Sequence, residues 1–207
     1  MVSTSKGAVA QPTMAGAAAV AVRPVAHLNA RISAYLVDSV ILIAFILVSF
    51  VIAGAVLLFT SDLGRGDAPD AAFNAFLAIL LGGPLLAWTA FNLALMRWRS
   101  QTAGMYVIGI KIVSEDGPPV TRRRTLLRWF GLHPLLFHPF LLPIWAIFSL
   151  LVVSITLSQI VLIVTVALVL LCIASPIAAL VAMSLDPERR ALHDRLAHTL
   201  VVHIPQP

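Results

Sequence analysis

Residues 39–61 read SVILIAFILVSFVIAGAVLLFTS, 23 consecutive positions without an aspartate, glutamate, lysine or arginine. A helix rises 1.5 Å per residue, so about 20 apolar residues cross the roughly 30 Å hydrocarbon layer of a bilayer. This run has the length and composition of one crossing. Two further uncharged runs follow, 71–96 with 26 residues and 129–185 with 57. The shorter fits one crossing. The longer suits two, broken at the polar stretch Ser154-Ile155-Thr156-Leu157-Ser158-Gln159. The pattern predicts an all-α membrane protein with four transmembrane helices, near 36–59, 73–96, 135–155 and 160–184.

Composition points the same way. Of the 207 residues, 60% are hydrophobic and 11% charged, where a soluble domain is about half apolar and about a quarter charged. So few charges cannot cover a water-soluble globule, which excludes a typical cytosolic enzyme and a disordered chain. Cys172 is the sole cysteine, so no intrachain disulfide scaffold exists. The basic residues set the orientation. Lys6, Arg23 and Arg31 precede the first helix. Arg97, Arg99, Lys111, Arg122, Arg123, Arg124 and Arg128 lie between the second and third, and Arg189, Arg190 and Arg195 follow the fourth. Only Arg65 falls on the other side, so 13 of the 14 basic residues share one face. The positive-inside bias makes that face cytoplasmic, with both termini inside. Contact with anionic lipid head groups accounts for the net charge of +5 and removes the argument for nucleic acid. In residues 1–26, the apolar stretch 14–22 is too short and too rich in Ala and Gly for a signal-peptide core. The segment is expected to be a disordered cytoplasmic tail.

The segments between the helices carry their own signals. Residues 106–113 alternate apolar and polar positions as a strand does. Thr121 suits the N-cap of a basic amphipathic helix through Arg128 and Phe130. Asp186 suits the N-cap of a second short helix reaching about Ala197, and residues 200–204 read as another strand. Lone strands are unstable, so the two are expected to pair in a small cytoplasmic sheet. Gly82-Gly83-Pro84 breaks the second helix; a packing kink is one reading, and backbone carbonyls exposed to ions is the other.

Asp38 lies at or just inside the cytoplasmic boundary of the first helix. It reads either as an ordinary interfacial carboxylate or as a buried functional one that requires a partner. Arg31 lies on the same helical face but roughly 10 Å away along the axis, too far for a direct pair. Each must find its partner elsewhere: Asp194 for Arg31, and Arg97, Arg99 or Arg128 for Asp38.

Arg31-Ile-Ser-Ala-Tyr-Leu-Val-Asp38 and His193-Asp194-Arg195-Leu196-Ala197 resemble the defining Arg, Asp and Asp of the RDD family of bacterial membrane proteins. Ser100-Gln101-Thr102-Ala103-Gly104-Met105, then Ile108 to Val113, Glu115-Asp116-Gly117 and Leu126-Leu127-Arg128-Trp129 are similar to the family's loop after its second helix. The resemblance covers roughly 27–203. Two departures are visible: Ala103-Gly104-Met105 stands where the family usually has Pro and then Gly-Lys, and His198 stands where it has Gly. The resemblance implies a transmembrane domain over 27–204, residence in the bacterial inner membrane, and transport, including sodium/proton exchange in some members, as the suggested activity.

Other chemistries find little support. His133 and His138 are five apart, as are His193, His198 and His203; that spacing puts side chains about 140° apart on a helix, which is unsuited to a metal pair. Gly64-Arg65-Gly66-Asp67 spells the GxGD of intramembrane aspartyl proteases but lies among turn residues in the outer loop. No phosphate-cradling loop or nucleophile elbow is present. No enzyme activity, metal or cofactor is expected. Two functions remain: a transporter or transporter subunit coupling a proton or sodium ion through Asp38, or a non-transporting scaffold whose Arg31, Asp38 and Asp194 are structural. Four helices are few for a transporter, so either reading calls for an oligomer or a membrane partner.

Overall fold

A computed structural model describes residues 24–116, 120–156 and 159–204. Most of the segment read as a tail lies outside them. Its last residues belong to the fold, because Val25 bridges to Val202 and Ala26 N–H donates to Val201 O at 2.8 Å.

The element order is α1 (Leu28–Thr60), α2 (Asp70–Leu77), a π turn (Ala78–Gly82), α3 (Gly83–Arg99), α4 (Ala103–Ile108), β1 (Ile110–Ser114), α5 (Arg122–Phe130), a 3-10 turn (Pro139–Leu141), α6 (Leu142–Thr156), α7 (Gln159–Leu185), α8 (Leu192–Ala197) and β2 (Thr199–His203). Three helices are long and apolar enough to cross a membrane: Leu28–Thr60, the continuous Asp70–Arg99, and Gln159–Leu185. The remaining apolar segment, Pro139–Ser154, is shorter than these. It was expected near 135–155. Residues 131–138 form turns instead, and Pro139 opens the short helical segment. Long apolar side chains face outward, with Phe50, Val51, Ile163 and Leu170 all more than half exposed. Stripes of this size bury themselves in lipid or against other protein.

The π turn sits at the predicted break. In pure α geometry the nine residues from Ala72 to Leu81 would place these buried side chains on opposite faces, about 180° apart. A π turn absorbs about one residue, which brings both toward the same inner side. Gly83 completes the fit: a Cβ there would lie 3.2 Å from Ser49 Oγ on α1. Below the turn, Trp88 is fully buried, packs edge-on against Phe45 of α1, and its indole N–H donates to Leu135 O at 2.9 Å.

At one end of the helices lies a polar layer of α4, α5, α8 and the sheet. The strands pair antiparallel, with Ile110 opposite His203, Ile112 opposite Val201 and Ser114 opposite Thr199, so the small sheet forms as expected. Two boundaries move. Tyr106–Ile108 belong to α4, because the Thr102 hydroxyl accepts from Met105 N–H and starts a helix there; Gly109 at φ +74° ends it. Asp186 does not cap α8. Its carboxylate accepts from Glu188 N–H and from the side chains of Arg190 and Arg195, and the helix begins only after Ala191. Thr121 does cap α5, accepting from Arg124 N–H at 3.4 Å.

Candidate functional site

The first of two buried charge clusters centres on Asp38. Its side chain points from α1 to the start of α4, and the residue is 2% exposed. One oxygen accepts from the Thr102 hydroxyl at 2.6 Å, the other from Gly104 N–H at 2.7 Å. Gly104 is required here, since a Cβ would lie 2.0 Å from Ala34 O. Glycine lets α4 touch the α1 backbone, and contact at that range puts its amide on the carboxylate.

No cation reaches Asp38 among the described residues. The three partners expected for it go elsewhere. Arg97 and Arg99 are exposed at the end of α3, where Arg99 lies 5.2 Å over the Tyr106 ring. Arg128 is carried by α5 against α8 and pairs with Asp194. The reason is geometric: α5 packs on α8, so its buried face meets Asp194, while Asp38 meets the N-terminal turn of α4.

Asp194 holds the second cluster and has no exposed surface. Arg31 Nη1 donates to its Oδ2 at 2.7 Å, the pairing expected from the sequence. Arg128 Nη1 meets Oδ1 and also donates to the Thr199 hydroxyl at 3.1 Å. Ala191 N–H donates to Oδ2 at 3.1 Å, closing the first turn of α8. One carboxylate thus joins α1, α5 and α8. Burial, and after it the charge of Arg31, pulls the Arg128 guanidinium below its usual pKa.

Two histidines complete this cluster. The His133 and His193 rings lie 4.3 Å apart, and Trp129 lies 5.3 Å from His133. Burial, followed by the charge of Arg128, depresses His133 well below the ordinary histidine value; for His193, burial leads, then His133 and both guanidinium groups. Both rings are therefore neutral near pH 7. Leu135 N–H donates to His133 Nδ1 at 3.2 Å, which places that ring's proton on Nε2. Among the described residues no group of three His, Cys, Asp or Glu side chains could hold a metal ion.

Both clusters border one cavity of about 300 Å³, lined mainly by α1, the turn at 133–135 and α7, with residues of α4, α5 and α8. Arg31, Asp38, Thr102, Arg128, His133 and His193 line its polar side, and Met105, Leu135, Ala179 and Met183 are among its apolar residues. Of the residues singled out from the sequence, Arg31, Asp38 and Arg128 line this cavity and Asp194 pairs with both arginines; Thr102, Gly104 and the histidine pair were not singled out. A capping threonine two residues before a glycine in Thr102-Ala103-Gly104 was a signal for the first two. Nothing local marks the histidines, which meet across 60 residues.

The RDD family model matches residues 25–198, most of the chain. No curated protein and no solved structure gives a match.

Proposed function

The chain belongs to the RDD family, and from that premise we propose that it is an ion-coupled transporter, or a subunit of one, with Asp38 as the coupling carboxylate. In this reading the apolar segments cross the bacterial cytoplasmic membrane four times. The short segment at Pro139–Ser154 makes the third crossing together with the end of the turn before it, from about residue 135, which leaves His133 in the polar layer. The basic layer and both termini face the cytoplasm, with anionic lipid head groups against the exposed arginines. Several copies, or a membrane partner, complete the pathway.

One observation carries the reading: Asp38 is buried and, among the described residues, held only by neutral donors. A carboxylate out of water costs several kcal/mol unless a cation or proton balances it. Asp194 has two guanidinium groups for that purpose. Asp38 has none among the described residues, so a proton or a sodium ion arriving from the cavity would supply the missing charge. In this reading Asp38 does the coupling, and Arg31, Asp194 and Arg128 fasten the layer around it.

A second reading has its own observation. The Asp38 carboxylate fastens α4 to α1 through two short hydrogen bonds, which is what a non-transporting scaffold would need. Proteoliposomes separate the two. With an imposed proton or sodium gradient, wild-type protein should carry flux that Asp38→Asn loses while its thermal unfolding stays close to wild type. Absence of flux from wild type across both gradients, together with a strongly destabilised Asp38→Asn, supports the scaffold.

A further inference from the structure

We infer that the cavity between α1, α7 and α8 binds a single-chain amphipathic anion, its carboxylate or phosphate head group seated on Arg31 and its tail along Ala179 toward Leu180. The inference does not depend on coupling at Asp38.

The polar end is short of acceptors. Two guanidinium groups share one carboxylate, Asp194. Among the described residues Arg31 Nε and Nη2 and Arg128 Nε have no hydrogen-bond partner, and neither does His133 Nε2. Buried polar groups are almost always satisfied, by protein, by water or by a ligand, and an unpaired buried donor costs about 1–3 kcal/mol, more when it is charged. Four such donors cluster at one end of one cavity. The other acidic residue there, Asp38, lies roughly 10 Å further along α1 and is already engaged by Thr102 and Gly104.

Arg31 also shows where the head group would go. Its Nη1 contacts the Met183 thioether at 3.6 Å. Sulfur of this kind is a weak acceptor on a flexible side chain. An oxyanion that displaces it gains a charge-assisted hydrogen bond and brings acceptors to the idle guanidinium nitrogens.

The remainder of the cavity suits a tail. Its wall beyond Met183 is Ala179, Leu180, Ile32 and Leu36. Leu36 and Leu180 are 58% and 41% exposed, so the mouth opens on the apolar outer surface and not on the polar layer. The volume is at the small end of ligand pockets, which run from about 300 to 1,000 Å³; one chain fits more readily than two.

Native mass spectrometry of the full chain, released from a non-ionic detergent, tests this. Palmitic acid and 1-oleoyl lysophosphatidic acid distinguish a carboxylate from a phosphate head group, and hexadecanol supplies the tail without charge. A 1:1 adduct is expected with at least one of the anions, about tenfold or more favoured over hexadecanol. Ala179→Trp fills the cavity without touching Arg31 or Asp194 and should abolish the adduct. Met183→Ala removes the competing thioether and should retain or strengthen it, which guards against a tryptophan variant that merely misfolds. Equal binding of hexadecanol, no 1:1 adduct with either anion, or an undiminished adduct in folded Ala179→Trp would overturn the inference.

Discussion

Arg31 and Asp194 lie 163 positions apart in sequence and meet at 2.7 Å with almost no exposed surface on either side chain. The contact ties α1 to α8. Because Arg128 shares the same carboxylate, losing the acid strands two buried cations, whereas losing one arginine leaves a pair.

That asymmetry sets the first prediction. Asp194→Ala should destabilise the protein by about 3–5 kcal/mol, the usual result of breaking a buried ion pair from one side. Arg31→Ala should cost less, and Arg31→Ala with Asp194→Ala should cost less than the sum of the two. Unfolding in mixed detergent micelles measures all three; additive effects would show that the contact carries no coupling energy.

The second prediction concerns the seat of α4. In Gly104→Ala the new Cβ must displace the Ala34 carbonyl, which would otherwise lie 2.0 Å away. Rigid backbone on both sides makes this overpacking, at about 1–3 kcal/mol, and it moves the amide away from Asp38. Gly54→Ala, where a Cβ meets nothing within 4 Å, should be neutral or stabilising by up to about 1 kcal/mol. Equal effects of the two substitutions on the thermal midpoint would contradict the close approach of α4 to α1.

The long apolar helices were legible because charge-free length is a strong signal, although the fourth apolar segment proved short; the first loop strand was legible because it alternates. The Arg31–Asp194 pair was found by the same logic, that a charge beside lipid requires an opposite charge on its own side of the membrane. That rule failed for Asp38 because a carboxylate is also satisfied by neutral donors. The supply of nearby arginines says nothing about which of them the fold will deliver. The boundary at Tyr106 was missed for a related reason: three alternating residues fit a strand and a helical turn equally, and the Thr102 cap decides between them.

Position 198 gives a third test. His198 follows α8 in the left-handed conformation, at φ +50°, where the RDD family usually has glycine. A non-glycine residue pays about 1–2 kcal/mol there, less the backbone entropy that glycine loses on folding. His198→Gly should raise stability by up to about 1 kcal/mol, because the contact given up is an exposed 3.4 Å approach to Glu115. A lower thermal midpoint for this variant would mean that the Glu115 contact matters more than the backbone.

The histidine pair predicts the fourth. His133 and His193 are held below their ordinary pKa in the folded protein, so below about pH 6.5 the unfolded chain binds protons that the folded one refuses. Stability is then full above that pH and falls as pH drops, by up to about 1.4 kcal/mol per pH unit for each ring. The thermal midpoint should decline between about pH 6.5 and 5. In His133→Asn, whose amide oxygen can still accept from Leu135 N–H, the decline should be shallower. A midpoint that does not change over this range would show that the rings titrate normally.

The unbroken length of α1 has a mechanical consequence. At 33 residues it is about 50 Å long, and about 33 Å of it, from Asp38 to Thr60, matches the thickness of a hydrocarbon layer. In the proposed layout the rest protrudes as a rigid stem that bears Arg31. Thinner or thicker bilayers tilt such a rod to relieve hydrophobic mismatch, and its inner end must swing when they do. In that layout lipid composition would act as a torque on the clasp at Asp194 and on the grip of Asp38, through a lever with no hinge to absorb it.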